Sequence, residues 1–497
     1  MYICNYILKS ILSMILLLSF AKNAFSQEKI DDIEVIGISP LPGIEIDRNK
    51  IPNASQSLRE IDLDSSTGTT IVDLLGEKLT GVTIKDVQNS PFQKNIDYRG
   101  FTAAPLLGES QGLAVYLNGT RINEGFGDTL QWELVPEAAL TDIDLMSSNP
   151  VFGLNALGGS LALTTKKGLD FLNTDSSVEN HFEFGGADWV NGNIELGAGD
   201  ESQGLYVAME NSYDGGWRDN SAGDVKRLFI NYGKIFENSD FDFTFMNADS
   251  NLNGNGVSPT ELLKVRRESV FTWPDFTSNK VYLAASNANF YLEDDSVINT
   301  SVYYRRLIRD TLNADELDAE ECAEDNATHA EQLEDDFGTA DEPICGEADG
   351  DNYEVLIDQF GNAISNNDAI RKYGLLNKSS TMTVTWGGSA QYNINTNYLD
   401  NMHNIIIGAS VDKTRSAFHS RGELGQLHNN RTVSNLLNTE GGFITLESIR
   451  EHSGSSGGKE STNERGDVGS AQLASKTDYY GIYINDLFAL DNHTDIT

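Results

Sequence analysis

Apolar and polar residues alternate with a period of two along most of the chain from about residue 179 onward. The clearest segment is Phe241, Phe243 and Phe245, which alternate with Asp242 and Thr244. Because successive side chains of a strand point to opposite sides, each such segment predicts a strand with one apolar face. About ten strands of this kind are expected before the chain stops. The other segments centre on residues 182–184, 194–196, 205–209, 228–232, 298–305, 382–392, 405–411 and 480–484.

The connections between these segments alternate in length. Short links lie near residues 201–202, 237–240, 293–296, 395–401 and 490–493, and long ones near 251–279, 310–379 and 416–476. Short turns on one side and long loops on the other are typical of outer-membrane β-barrels. A soluble sandwich has no reason to place a long loop at every second connection. The pattern therefore favours an antiparallel transmembrane barrel.

Residues 70–167 have a different pattern, with mixed helix and strand signals and many glycines. The spacing of apolar residues predicts a helix from Ile71 to Leu79, with Thr69 or Thr70 as N-cap and Gly81 after its end. Short apolar runs predict strands, and glycines fall where the backbone must turn. This stretch is expected to form a small α+β domain ahead of the barrel.

The first 26 residues have the features of a secretion signal. Lys9 precedes an apolar run from Ile11 to Phe20, and Ala24 and Ser26 are the small residues that a signal peptidase reads. Cleavage after Ser26 is expected. Apart from this run, no apolar stretch is long enough to predict a transmembrane helix.

Residues 27–43 contain a short β-prone segment followed by a spacer rich in Pro and Gly. Two interpretations stand equally on these residues alone: a strand that adds to the edge of another protein's sheet, or a frayed first strand of the following domain. The segment consists of Asp32, Ile33, Glu34, Val35, Ile36 and Gly37.

Charge and cysteine content narrow the possible partners and chemistry. The chain of 497 residues has a formal net charge of -40, which argues against a nucleic-acid partner. Cys4 leaves with the signal, so Cys322 and Cys345 remain and predict a disulfide in an exported protein, with metal binding as the weaker alternative. The acidic loop around them could hold calcium, although its spacing fits no EF-hand. No cofactor, metal site or catalytic residue is expected, because no catalytic motif lies in a suitable structural context.

Taken together, these features resemble those of TonB-dependent outer-membrane receptors. Three elements match motifs of that family: Tyr98–Phe101, Val115–Ile122 and, most specifically, Val151–Leu161. The resemblance implies a plug domain over residues 44–168 and a partial antiparallel barrel over residues 178–497, with about ten of an expected 22 strands. It also implies that Asp32–Gly37 is the TonB box, which pairs with a TonB-type energy-coupling protein of the inner membrane.

The resemblance also assigns structural roles within the plug. Arg99 is expected to make an ion pair or hydrogen bonds with acidic groups, since a buried guanidinium must be satisfied, and an ordinary surface residue is the alternative. Gly100, Gly158 and Gly159 are expected to let backbone segments pack closely. Asn118, Gly119, Gly153 and Asn155 belong to the same matching motifs.

The function implied is TonB-energised uptake of a scarce solute across the outer membrane of a Gram-negative bacterium. A ferric chelate is one possibility, since residues 256–279 resemble an external loop of such receptors and carry Lys264, Arg266 and Arg267. The main alternative is a secreted or surface β-rich adhesin or binding protein, built as a sandwich with a calcium-binding acidic loop. A passive porin is a third possibility.

Overall fold

The computed structural model describes residues 35–37, 41, 45–47, 54–64, 70–147, 150–186, 188–294, 296–317, 319–321, 343–348, 352–360, 362–367, 370, 372–398, 401–437, 443–446, 470–491 and 494–496. Two short strands come first, β1 (Val35–Gly37) and β2 (Glu45–Asp47). The signal segment lies outside these ranges. No helix within them combines the length and apolarity needed to cross a membrane.

Residues 54–171, here called the central domain, form the predicted α+β unit. Its strands are β3 (Ser55–Arg59), β4 (Val82–Val87), β5 (Ser90–Tyr98), β6 (Phe101–Ala103), β7 (Leu113–Leu117), β8 (Thr120–Arg121), β9 (Leu140–Met146) and β10 (Gly159–Thr165). Its helices are α1 (Glu60–Asp64) and α2 (Ile71–Lys78), with 3-10 turns at Trp132–Leu134, Glu137–Ala139, Pro150–Phe152 and Gly168–Phe171. One sheet has the order β3-β9-β10-β7-β8 and a second has the order β4-β5-β6.

Helix α2 begins where the sequence predicts. The Asp73 carboxylate accepts a hydrogen bond from the Thr70 N–H at 3.2 Å, so the first turn has a polar cap. Leu75 of this helix is fully buried, and so are Leu113 and Val115 of the inner strand β7. Burial of this apolar face holds the helix on the sheet, because eight residues are too few for a stable isolated helix.

Most of the described residues after 171 form one long antiparallel sheet in which most sequential strands are neighbours. Its principal strands are β11 (Thr174–Phe184), β12 (Val190–Gly199), β13 (Gln203–Asp214), β14 (Gly223–Phe236), β15 (Ser239–Asn253), β16 (Asp275–Tyr291), β17 (Val297–Glu316), β21 (Tyr373–Tyr398), β22 (Asn401–Leu427), β25 (Ala471–Asp491) and β26 (Thr494–Ile496). The remaining elements are α3 (Thr260–Val265), β18 (Ala319–Glu321), β19 (Ile344–Ala348), β20 (Asn352–Val355), β23 (Val433–Asn435) and β24 (Thr445–Leu446). Of these, β18, β19 and β20 form a small separate sheet. The predicted series of strands and the alternation of short and long links are confirmed.

Several predicted boundaries are wrong. The sheet begins at Thr174 rather than at residue 178, because the exposed residues at the start of β11 do not alternate. Strand β17 continues to Glu316, and β21 already begins at Tyr373, so the long link is shorter than predicted. Beyond the membrane both faces of a strand can be polar, and the period-two signal is lost there.

The apolar face of the long sheet is its exposed face. Phe243 is 40% exposed, whereas its neighbours Asp242 and Thr244 are 4% and 3% exposed. The central domain packs against the polar face through its 3-10 turns, as the contacts below show. A soluble sandwich buries its apolar faces against each other, so the sandwich expected for a secreted adhesin is wrong.

The long connections form structure of their own. Ile344, Leu356, Tyr373, Leu424 and Leu446 belong to a separate buried apolar cluster. A β-bridge joins Trp273 of one connection to Thr432 of another. These loops are therefore packed together rather than extended separately.

Candidate functional site

The central domain is attached to the long sheet by buried charged residues, and Glu133 is the first of them. It lies in the 3-10 turn Trp132–Leu134 and is 2% exposed. Its carboxylate accepts hydrogen bonds from Asn279 Nδ2 of β16 at 2.7 Å and from Ser250 Oγ of β15 at 3.3 Å. Burial raises the pKa of the Glu133 carboxyl, because both direct partners are neutral.

Arg227 of β14 connects the central domain to the long sheet at a second point. It donates from Nη1 to Glu210 of β13 at 2.8 Å, from Nη2 to Glu137 of the central domain at 3.0 Å, and from Nε to the Glu133 carbonyl at 2.7 Å. Its side chain is 3% exposed. A buried guanidinium must be satisfied in this way, since an unpaired one is strongly destabilising.

Strand β17 supplies a third point of attachment. Arg305 forms an ion pair with Glu124 of the central domain, and these side chains are 6% and 4% exposed. Four residues further on, Arg309 donates from Nη1 to the Pro105 carbonyl at 2.6 Å. The Nε atoms of both arginines are buried without a hydrogen-bond partner.

Another ionic group lies within the central domain. Arg121 pairs with Asp128, which also accepts a hydrogen bond from Asn155. This contact gives the predicted residue Asn155 a role: it connects the closing motif to the loop before it. Its φ of 55° is a left-handed conformation that asparagine tolerates better than most residues.

Asn118 and Gly119 form the tight turn predicted between β7 and β8. Their φ values are 46° and 83°, as a type I′ turn requires. The Asn118 side chain also accepts from the Thr165 N–H at 3.1 Å and donates to Thr165 Oγ1 at 2.7 Å. The turn is thereby held to the end of β10.

The ion pair expected of a buried Arg99 is wrong. Arg99 and Gly100 are the two residues between β5 and β6, with φ values of 55° and 88°, and both are exposed. With these φ values the Arg99 side chain lies on the surface, away from any carboxylate of the described residues. The guanidinium lies 4.9 Å from the ring centroid of Tyr98 instead.

The predicted glycines differ in what they provide. A Cβ on Gly158 would stand 2.4 Å from Phe101 side-chain atoms, and one on Gly159 would stand 2.7 Å from the Met146 carbonyl oxygen. Both positions therefore require close packing. Gly100 and Gly153 have no atom within 4 Å of an added Cβ, and their φ values of +88° and +68° explain the glycine instead.

The N-terminal and cysteine predictions are only partly covered by the described ranges. Val35–Gly37 is strand β1, whereas Asp32, Ile33 and Glu34 lie outside the described residues. Cys345 is disulfide-bonded, and Cys322 lies outside the described residues as well.

The cationic loop residues lie on the surface. Lys264, Arg266 and Arg267 are exposed, and Arg266 pairs with Asp219. The guanidinium of Arg267 lies 5.7 Å from the ring centroid of Trp217. One of the three charges is thus already paired within the protein.

The sequence analysis did not identify Glu124, Glu133, Arg227 or Arg305. One signal was available for the two arginines. Each lies next to an apolar residue of its strand, Leu228 or Tyr304, and therefore on the opposite face of that strand, which is the polar face of the sheet. Their partners could not be identified, because Arg305 and Glu124 are 181 residues apart.

This geometry defines a class: a small α+β domain anchored by buried ion pairs to the polar face of a sheet whose other face is apolar. Residues 47–160 match the family model of the TonB-dependent Receptor Plug Domain. Comparison with curated protein sequences finds no matching relative. The central domain therefore matches the plug domain of TonB-dependent receptors, as the resemblance predicts, and is called the plug domain below.

Solved structures share the fold of the whole described chain. The siderophore receptor PiuA from Acinetobacter baumannii is 13% identical with a TM-score of 0.56, and the match covers 89% of this chain and 56% of that one. The ferric citrate transporter FecA is 13% identical with a TM-score of 0.56, covering 89% and 61%. The ferripyoverdine receptor of the outer membrane of Pseudomonas aeruginosa is 12% identical with a TM-score of 0.55, covering 97% and 57%.

The chain thus spans little more than half the length of these structures. The predicted plug followed by part of an antiparallel barrel is confirmed as the fold. The predicted location, the outer membrane of a Gram-negative bacterium, stays a prediction, which the plug-domain match and the shared fold support.

Proposed function

We propose that this chain belongs to a receptor that takes up a scarce solute across the outer membrane, energised by a TonB-type protein. The single observation that carries the proposal is the anchoring of the central domain on the polar face of the long sheet. Glu124, Glu133 and Glu137 each contact that face from the central domain. A domain held there obstructs the lumen and must move before a solute can pass.

Buried ion pairs suit this gating role. Each one is stable while both partners are present and costly to separate, since a lone buried charge is destabilising by about 3–5 kcal/mol. The central domain therefore stays in place on the polar face of the sheet unless an external force acts on it. The proposed source of that force is work done by the energised TonB-type partner.

The segment Asp32–Gly37 is the proposed binding segment for the TonB-type partner. Pairing of main chains requires an extended segment with free N–H groups and tolerates many side chains. Val35–Gly37 already has strand conformation and pairs with β2 in a two-stranded sheet, so its other edge is the one proposed to pair with the partner. A proline at Ile36 removes one N–H donor, whereas a threonine preserves both the donor and the β propensity.

Ferric chelates are the proposed solute class. The solved structures of similar fold include a siderophore receptor, a ferric citrate transporter and a ferripyoverdine receptor. The packed external loops offer a surface on which such a solute could first bind.

The test is uptake of radioactive iron, supplied as ferric citrate or as a catechol chelate, in iron-starved cells that carry the chain within its full-length protein. Deletion of residues 33–37 and the I36P variant should reduce uptake to the level of cells treated with a protonophore. I36T is the matched control and should retain uptake. Normal uptake by the deletion variant would rule out the TonB assignment, and loss with both I36P and I36T would rule out main-chain pairing.

A further inference from the structure

We propose that Arg305 and Arg309 of strand β17 form part of a track for an oxyanion-bearing solute, which the plug domain covers at rest. This inference rests on the proposed uptake function and specifies the charge of the solute. It assigns a second role to wall residues that otherwise only hold the central domain.

The first observation is their placement. Residues four apart on a strand point to the same side and lie about 13 Å apart along it. Both side chains reach the central domain from the polar face, Arg305 through Glu124 and Arg309 through the Pro105 carbonyl. Arg306, between them, lies on the opposite face and donates to the Met382 sulfur.

The second observation is the origin of their partners. The oxygens that Arg305 and Arg309 contact all come from the central domain. Within the described residues, neither arginine forms an ion pair with a carboxylate of the long sheet. If the central domain moves away, both guanidiniums lose these oxygens and face the lumen with their charge uncompensated.

Arg227 provides the contrast. It contacts Glu137 of the central domain, but it also contacts Glu210 of the neighbouring strand β13. Arg227 therefore keeps a counter-charge whether or not the central domain is in place. The contacts of Arg227 suit a residue that holds the central domain on the sheet. The contacts of Arg305 and Arg309 suit residues that bind the central domain at rest and a solute oxyanion when that domain moves away.

The third observation is unused donor capacity. The Nε atoms of Arg305 and Arg309 are buried without partners, so each guanidinium can donate one more hydrogen bond, to an oxygen in its plane. Guanidinium groups bind carboxylate and phosphate groups in a bidentate manner. The central-domain oxygens then occupy positions that a solute carboxylate, phosphate or similar oxyanion takes during passage.

The test is ion selectivity of the full-length protein in planar lipid bilayers. Urea at a concentration that unfolds the plug domain but leaves the barrel inserted opens the lumen, and a tenfold gradient of KCl gives the ratio of chloride to potassium permeability. R305Q and R309Q should each lower this ratio roughly twofold or more, because each removes a positive charge from the lumen. R306Q removes the same charge from the same strand on the opposite face and should match the wild type.

The lysine variants R305K and R309K keep the charge and should retain the wild-type ratio, which separates an electrostatic effect from misfolding. If the chloride-to-potassium permeability ratio is equal in R305Q, R309Q, R306Q and the wild type, the proposed oxyanion track is wrong. A wild-type channel that never opens in urea would instead overturn the gating function, and the track with it. The two failures are thus distinguishable.

Discussion

Glu124 of the plug domain and Arg305 of strand β17 form an ion pair in which both side chains are more than nine-tenths buried. This contact joins two parts of the chain that are far apart in sequence and fixes one on the other. Its strength depends on both partners, because removal of one leaves a buried charge without compensation.

Removal of the Glu124 charge is the most direct test of this anchor. E124Q should destabilise docking of the plug domain by about 3–5 kcal/mol, because the Arg305 guanidinium remains buried. Amide hydrogen exchange of β7 in the detergent-solubilised full-length protein should rise accordingly. The control is D478N, which breaks a pair with Lys476 whose side chains are 63% and 29% exposed. That exposed pair is worth about 1 kcal/mol or less, and equal effects of the two variants would contradict a special role for the buried pair.

Gly158 should tolerate no side chain. An added Cβ meets Phe101 at 2.4 Å, so G158A should destabilise the plug domain by about 1–3 kcal/mol through overpacking. Resistance of the domain to limited proteolysis measures this loss. G186A is the control, because no atom lies within 4 Å of a Cβ at that position. A protease-resistant G158A domain would mean that Phe101 moves aside at little cost.

Glu133 should make the stability of the plug domain depend on pH. Its folded-state pKa is raised by burial, so the carboxyl contributes stability that is fully present below its unfolded value of about 4.3. That contribution is lost as the pH rises through the raised folded value. E133Q keeps an acceptor for Asn279 and should flatten the dependence, as followed by the urea midpoint of the domain between mildly acidic and neutral pH. The exposed residue Glu109 supplies the control E109Q, which should keep the wild-type slope. Parallel curves for E133Q and wild type would contradict the assignment.

Asn118 combines a turn conformation with a side-chain contact, and two variants separate them. N118G adopts the left-handed φ easily but loses the hydrogen bonds to Thr165. N118A loses the same hydrogen bonds and also has a residue that does not favour this φ. We expect N118A to be less stable than N118G by about 1 kcal/mol, because alanine adopts this φ only with strain. The free energy of unfolding of the plug domain gives the comparison. Equal values would show that the conformation at this turn costs little.

Much of this architecture could be predicted because it is local. The alternation around Phe243 and the two-residue turn at Asn118 are each determined by a few neighbouring residues. The anchors could not be predicted in the same way, since Arg305 and Glu124 meet only after the whole plug domain has folded. Strand β5 was not predicted for another reason: Lys94 interrupts the apolar face formed by Phe92, Ile96 and Tyr98, and buried polar residues such as Gln93 lie on the other face.

Arg99 illustrates the limit of an argument from a single residue type. Its charge suggested a buried pair, but its side chain lies on the surface in a two-residue turn. The turn alone does not settle this, since Asn118, the first residue of the Asn118-Gly119 turn, is buried.

Strands β21 and β22 contain 26 and 27 residues, whereas about 9–11 are enough to cross a bilayer. Roughly 50 Å of each strand therefore extends beyond the lipid. In the proposed outer-membrane setting, a solute arriving from the medium would therefore meet this hairpin several nanometres before it reaches the headgroups.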